Sequence, residues 1–435
     1  MTHPTRRCAL AMGLAFPAAL LPAMVSPVLW RAWALLLAAL VIVMAVDWAL
    51  ALRASRLDLQ AHLPDTLFVG DRDLLRLDLR TGWKRAVPIE LVCDFDDSLE
   101  PQPAQRVVAR GSTSLQVALV PRRRGSARLE HVWARWTGPL GLIGRTVRRS
   151  FDRTVSVVPN TRAVERTALR FAGDRTAIAG LKIERYAGEG SEFDSLREYV
   201  PGLDPRLTDW KASARRRRLL LRDYRAERNH PVVIALDSGY LMSERLAGIP
   251  RLDHAINAGL LLAYIALKTG DRVGLFTFDD QVRSFVEPRG GMASFAVLRK
   301  RTAAIDYSHA ETNFTLALTD LGRRLRRRSL VVALTDFVDT VTASLMVENL
   351  DRLARRHLVL FVSLRDTLPD EIYGRRPRTV DDMHSAVAAH DLLREREVVL
   401  SRLRRTGVSC IESAPQDLSV RLLNRYLEIR RRELI

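Results

Sequence analysis

The chain has 435 residues, 47% of them hydrophobic, with 19 prolines and 23 glycines, a balance that excludes a disordered or collagen-like protein. Its 68 Lys and Arg against 50 Asp and Glu leave a net charge of +18, nearly all of it arginine because there are only five lysines. Three cysteines, Cys8, Cys93 and Cys410, are too few and too scattered for a disulfide framework or a four-ligand zinc site, which points to a reducing compartment.

At roughly 150 residues per domain the length allows two or three domains. The basic runs Arg122 to Arg124, Arg215 to Arg218, Arg323 to Arg328 and Arg430 to Arg432 are short and dispersed, and no aromatic residue interleaves them. Nucleic acid is therefore not an expected partner, and an anionic membrane surface is the better match for the positive charge.

The first 56 residues read as a membrane hairpin. Ala9 to Leu29 carries no charge for 21 positions, and Ala32 to Leu52 is a second apolar span interrupted only by Asp47. Each is long enough to cross a hydrocarbon core of about 30 Å as a helix. Pro17, Pro22 and Pro27 are tolerated there because neighbours satisfy the freed carbonyls. Arg6 and Arg7 before the first span, and Arg53 and Arg56 after the second, outweigh the single Arg31 between them, which places both ends in the cytoplasm. A cleaved signal peptide is the competing reading of the first span, but a second span follows at once. Asp47, near the cytosolic end, is expected to snorkel or to pair within the hairpin.

Residues 57–165 contain short apolar runs at close spacing: Ala86 to Cys93, Ser114 to Val120, Ala127 to Trp136 and Thr154 to Val158. Leu115, Val117 and Leu119 recur at a period of two, with Gln116 between the first pair, and Gly82, Gly125 and Gly138-Pro139 punctuate the runs. A small antiparallel β sandwich is predicted, with His131 an ordinary residue that has no partner at ligand spacing.

The charged connector, residues 166–230, is denser in information. Gly188 and Gly190 loosen the backbone and Pro201-Gly202 and Asp204-Pro205 impose turns, so a structured loop is predicted. Asp194, Arg197, Glu198, Asp204, Arg206, Asp209 and Lys211 mix both signs among Phe193, Leu196, Tyr199 and Trp210, the composition of a partly buried ion-pair network. A sharper alternative takes Asp194, Asp209 and Lys211 as the carboxylates and amine of a metal-dependent phosphoester hydrolase, in which carboxylates hold Mg²⁺ and a lysine orients water. That chemistry needs a strand under Asp209 and Lys211.

The pattern Gly188-x-Gly190-Ser191-x-Phe193-x-Ser195-Leu196-Arg197-x-Tyr199-x-Pro201-Gly202-x-Asp204-Pro205-Arg206, followed by Asp209-Trp210-Lys211-Ala212-Ser213-Ala214-Arg215, resembles the signature of the bacterial membrane proteins grouped as domain of unknown function 58. The departure is Leu203, where an acid is common. Val120 to Gly125, Pro139 to Leu142 and the two apolar spans also resemble that family. The resemblance implies a von Willebrand factor A-like domain working beside a MoxR-type AAA+ ATPase at the bacterial inner membrane, with the large C-terminal part in the cytoplasm.

Residues 231–435 alternate strand and helix. Pro231 to Leu236 is a continuous apolar run, as in a strand buried on both faces, and Leu252, Ile256, Leu260, Ala263 and Leu267 repeat at helical spacing up to Gly270. Further strands are predicted at Arg272 to Phe278, Val282 to Val286 (an edge), Leu330 to Thr335, Leu358 to Leu364 and Val408 to Glu412. Helices are predicted at Ala293 to Ile305, Thr312 to Arg327, Ala343 to Arg355 and Val380 to Arg405, with a last one from Gln416. The whole is an α/β doubly wound sheet, whose ligand side is the carboxyl ends of the strands.

Asp237, Thr312 and Asp336 fall at those ends. Von Willebrand A domains place there the hard oxygen donors of an Mg²⁺ site, beginning with Asp-x-Ser-x-Ser. Here that element is Asp237-Ser238-Gly239-Tyr240-Leu241, so both hydroxyl positions are lost and the remaining set is a degenerate one. Ser238 and Ser243 have no local histidine, and neither a Gly-x-Ser-x-Gly elbow nor a phosphate loop occurs. The sequence thus reads as a non-enzymatic, membrane-anchored scaffold or adaptor for protein partners, the ATPase and other envelope proteins among them.

Overall fold

The computed structural model describes residues 2–18, 29–82, 85–160, 162, 187–200, 207–225, 229–338 and 340–432. They fall into two compact units, Met1–Asn160 and Thr161–Ile435.

In the first unit β1 (Thr2–Pro4) leads into the helices α1 (Arg6–Ala18) and α2 (Leu29–Leu50). Strands β2 (Leu57–His62), β3 (Thr66–Phe68), β4 (Asp73–Thr81), β5 (Val87–Phe95), β6 (Gln105–Ala109), β7 (Ser112–Leu119), β8 (Gly125–Thr137) and β9 (Ile143–Val158) follow. They form two sheets, β1-β9-β8-β5-β6 with β3 also on β9, and β2-β4-β7. Each buries one face. In β2, Leu57, Leu59 and Ala61 are buried while Asp58, Gln60 and His62 are exposed, the period of two that a half-buried strand requires. β1 and β3 cover only the ends of the outer edge of β9, at 143–145 and 156–158. Between them Arg148, Arg149, Asp152 and Arg153 stand on the uncovered stretch, charges that discourage another strand from pairing there.

Among the described residues one segment, Trp33–Arg56, carried largely by α2, is long and apolar enough to cross a membrane, with a mean hydropathy of 2.6. Leu35, Val41 and Ile42 on it are 71%, 62% and 61% exposed, which suits a lipid-facing surface. Of the other expected span, Ala9 to Leu29, the helix is seen from Arg6 to Ala18, and residues 19–28 lie outside the described set.

Asp47 corrects the sequence reading. It neither snorkels nor pairs within the hairpin, but is fully buried, its carboxylate accepting N–H bonds from Leu140 (2.7 Å), Leu142 (2.9 Å) and Ile143 (2.9 Å). The turn 138–143 joins β8 to β9, and those amides point away from the ladder; a charged acceptor on α2 satisfies them. Gly138 is dictated by this packing, because a Cβ there would fall inside the Asp47 carboxylate. Arg145, just beyond the turn, donates to the carbonyls of Trp48 (2.8 Å) and Leu52 (3.3 Å) and so caps the end of α2. The start of α1 meets the same turn: Thr5 N–H donates to the Leu142 carbonyl at 2.9 Å, and its hydroxyl to the Gly141 carbonyl at 2.6 Å.

The second unit opens with an antiparallel hairpin of β10 (Ala187–Glu198) and β11 (Leu220–Arg225), with α3 (Trp210–Arg216) between them. The connector is thus strand and helix where a loop was predicted. Its glycines and prolines are turn signals, but the partner strand that orders β10 lies beyond α3. Pro201, Gly202, Asp204, Pro205 and Arg206 lie outside the described residues.

Then come β12 (Pro231–Asp237), α4 (Tyr240–Ser243), the short pair β13 (Arg245–Leu246) and β14 (Ile249–Pro250), and α5 (Arg251–Lys268). β15 (Arg272–Phe278), β16 (Val282–Arg289), α6 (Met292–Ala303), α7 (Phe314–Arg324), β17 (Leu330–Leu334) and α8 (Thr340–Ala354) continue the alternation. β18 (Leu358–Leu364), α9 (Leu368–Gly374), α10 (Val380–Arg405), β19 (Ser409–Ser413) and α11 (Pro415–Arg431) complete it. The sheet order is β16-β15-β12-β17-β18-β19, parallel except for the edge strand β16. Alternate residues of β12 enter two cores. Val232, Ile234 and Leu236 pack with α5, α6 and α11, and Val233 and Ala235 with α7, α8 and α10. This is the doubly wound arrangement.

His357, just before β18 and 5% exposed, has no hydrogen-bond partner on either ring nitrogen among the described residues. Burial, and then the neighbouring Arg356, hold its pKa below the usual imidazole value. The unfolded chain takes this proton near about pH 6.5 and the folded chain only at lower pH, so acid in that window favours unfolding. Consequently the loss of Tm between neutral and mildly acidic pH should be smaller in His357→Leu than in the parent chain. Equal losses would remove the assignment.

Candidate functional site

The order of strands reverses at β12, which pairs with β15 on one side and β17 on the other. Such a reversal opens a crevice at the carboxyl ends of the two central strands. Asp237 ends β12 and Asp336 lies two residues beyond β17, so both acids named from the sequence stand at this rim, with Thr312 just ahead of α7.

Asp237 is 1% exposed and bonded on every side. Its Oδ1 accepts from the Thr312 hydroxyl and the Gly239 N–H, both at 2.8 Å, and its Oδ2 from the Thr335 hydroxyl at 2.5 Å. Burial pushes its carboxyl up to about 6, which these hydrogen bonds only partly counter. Asp336 has a separate set of partners. It pairs with Arg251 from the start of α5 and, at 2.9 Å, with Arg396 of α10. Arg396 also pairs with Glu412 of β19, donates to the Leu364 carbonyl at 3.1 Å and lies over the Phe337 ring at 4.9 Å. Burial opposes the Arg396 charge, but Asp336 and Glu412 more than offset it and its pKa is raised. Above this network lies an open crevice of about 350 Å³, walled by Phe337, Val338, Arg365, Leu392, Arg396 and Glu412.

The expected Mg²⁺ donors Asp237, Thr312 and Asp336 stand at one rim but in two separate bonding groups. Thr312 and Asp237 are bonded to each other, while Asp336 is committed to two guanidinium groups. Ser238 donates to the Phe278 carbonyl at 3.1 Å, and Gly239 and Leu241 offer no hydroxyl. Thr335, Arg251, Arg396 and Glu412 were not singled out from the sequence. Thr335 adjoins Asp336, a signal that was available, whereas the two arginines arrive from α5 and α10 and look like any of the other basic residues in the chain.

The strand expected under Asp209 and Lys211 is not what forms there. Asp209 is the N-cap of α3, its carboxylate accepting from the Ala212 N–H at 3.0 Å, and Lys211 is exposed in the first helical turn. The strand that a hydrolytic Asp209–Lys211 pair requires is a helix start. Asp194, Gly190 and Phe193 lie on the backbone of β10, and their side chains are outside the described set. Arg197 is exposed, Trp210 is 70% exposed, and Tyr199 is tied by its N–H to the Leu219 carbonyl at 2.8 Å. Ser213 stitches helix to strand, accepting from the Leu220 N–H at 2.9 Å. Asp209→Ala should therefore lower stability by about 1 kcal/mol, as a lost cap does, with Lys211→Ala within about 0.5 kcal/mol of the parent chain. Denaturant midpoints of the two variants check this, and a larger effect at Lys211 would refute it.

His131 does have neighbours: strand register sets it opposite Asp94 of β5, with its Nδ1 4.0 Å from Asp94 and 3.9 Å from Glu130. Arg148 closes on its other nitrogen. These acids are exposed, and the group is a surface charge cluster.

The protein family described as "Protein of unknown function DUF58" matches residues 195–399. Uncharacterized proteins of Mycobacterium tuberculosis and Mycobacterium bovis are each 25% identical, over 47% of this chain and 69% of theirs. Among solved structures, an aerotolerance-related membrane protein from Bacteroides fragilis covers 46% of this chain and 98% of its own, at 16% identity and a TM-score of 0.32. The conserved hypothetical protein BatB from Bacteroides thetaiotaomicron covers 47% and 99%, at 13% identity and a TM-score of 0.31. The match to the DUF58 model thus takes in the connector from Ser195 onward and most of the α/β sheet.

Proposed function

We propose that the chain is a membrane-anchored scaffold or adaptor whose second unit, a von Willebrand factor A-like module, presents the rim of its sheet to a protein partner. The partner class that fits the family resemblance is a MoxR-type AAA+ ATPase, in envelope protein assembly or maturation. The observation that carries the reading is the rim itself. A shallow open crevice lies beyond the carboxyl ends of β17, β18 and β19, beside the switch point at β12, and Val338 and Leu392 on its wall are 44% and 48% exposed. Asp336, buried behind the crevice wall, is paired with two arginines of that wall, Arg251 and Arg396.

A two-span anchor with both ends in the cytoplasm is supported by one turn, 138–143, that holds the start of α1 through Thr5 and the end of α2 through Asp47. Helix ends held together face the same side of a bilayer. A cysteine introduced at Trp30 should then react with a membrane-impermeant maleimide from outside the cell, while Cys93 stays protected. Partner docking is tested by capture from native membranes with the full chain in detergent. An AAA+ ATPase should be enriched, and Leu392→Asp, at an exposed rim position, should cut its yield at least tenfold with no change in Tm. Capture of no such ATPase, or equal capture by the rim variant, would sink the reading.

A further inference from the structure

The charge chemistry of the rim differs from that of a cation-dependent docking site. There, a divalent ion neutralises the acids at the strand ends and offers an open coordination position to the partner. Here the second acid, Asp336, is 4% exposed and already meets Arg251 and Arg396, whose side chains are 13% and 20% exposed. Arg396 in turn holds Glu412, so two guanidinium groups balance two carboxylates before any ion arrives. Arg251 and Arg396 both donate to the Leu364 carbonyl, at 3.3 and 3.1 Å, which locks the pair to the end of β18. A divalent ion entering beside them would meet two fixed positive charges, with both carboxylates that they hold already paired.

The first acid is closed as well. Asp237 accepts from two hydroxyls and one amide. Where a cation site needs a serine hydroxyl, Gly239 stands with its absent Cβ directed at the Thr312 hydroxyl, well inside van der Waals contact. The missing serine is therefore a steric consequence of Thr312 bonding directly to Asp237, and restoring it would push Thr312 out of place.

We propose that this rim is permanently metal-independent: Arg251 and Arg396 supply at Asp336 the positive charge that a divalent ion supplies in cation-dependent relatives of the fold. Docking at the rim is then insensitive to chelators and to divalent-ion concentration. This last consequence rests on the docking reading above, whereas the absence of ion binding does not.

The full chain in detergent is titrated with Mn²⁺ and followed by the electron paramagnetic resonance of the free ion, and its Tm is compared in millimolar Mg²⁺ and in EDTA. The Mn²⁺ signal should rise as in buffer, and the Tm should not move. Stoichiometric Mn²⁺ uptake that is lost in Asp237→Asn, or a Tm raised by Mg²⁺, would overturn the proposal. Gly239→Ser should lower the Tm and still take up no Mn²⁺; uptake by that variant would show that the arginines do not close the site. Uptake by the parent chain would leave partner docking standing, and failure of ATPase capture would leave the metal-free rim standing, so the two outcomes remain distinct.

Discussion

Asp47→Asn should destabilise the N-terminal unit by roughly 1–3 kcal/mol, and Asp47→Ala by more. The carboxylate accepts three backbone N–H groups with both oxygens, Oδ1 taking Leu140 and Oδ2 taking Leu142 and Ile143. An amide keeps one acceptor and turns an NH₂ toward amides that also donate, so at least one buried donor loses its partner. Each such loss costs about 1–3 kcal/mol. Gly138→Ala should fail in the same manner, since the new methyl enters the space of the carboxylate. Six of the seven tryptophans lie within residues 1–160, so fluorescence-detected unfolding of the full chain reports on this unit. Wild-type stability in Asp47→Asn would mean that the turn does not depend on the carboxylate.

Arg396→Met should cost the C-terminal unit roughly 3–5 kcal/mol. The substitution keeps an apolar stem against Phe337 but strands Glu412, leaves Asp336 with Arg251 alone and frees one donor from the Leu364 carbonyl. Breaking one side of a buried pair is worse than never having built it, because the remaining charge stays desolvated. The double variant Arg396→Met/Glu412→Gln should therefore recover more than about 1 kcal/mol of the loss, a coupling that distant sites do not show. If the single variant unfolded within about 0.5 kcal/mol of the parent, the network would be a surface ornament and the rim would have to be reinterpreted.

Much of the C-terminal fold was legible because its signals are local. A continuous apolar run marks β12, and α10 is found at the bounds that periodicity predicts, with Thr379 and Asp382 forming its capping box. The connector was less legible. Its turn residues are conspicuous, but β10 is ordered by β11 on the far side of α3, and pairing across that distance leaves no periodic trace. Two of the three rim residues could be named from their places at strand ends, yet what they do could not. Asp336 is defined by arginines from α5 and α10, and in a chain with 68 basic residues no single arginine stands out. Asp47 is the same lesson in the other unit: an acid in an apolar span looks like a membrane feature until the turn that it satisfies is placed beside it.

The pairing of β1 with β9 has a bearing on biosynthesis. Thr2, His3 and Pro4 meet Arg145, Gly144 and Ile143, partners made some 140 positions later, with both apolar helices in between. On a ribosome the leading strand must wait until β9 has emerged, and only then can it join the edge of its sheet. Closure of this border is thus a late event, and a nascent chain that stops short of β9 leaves Thr2 to Pro4 without the strand they pair with.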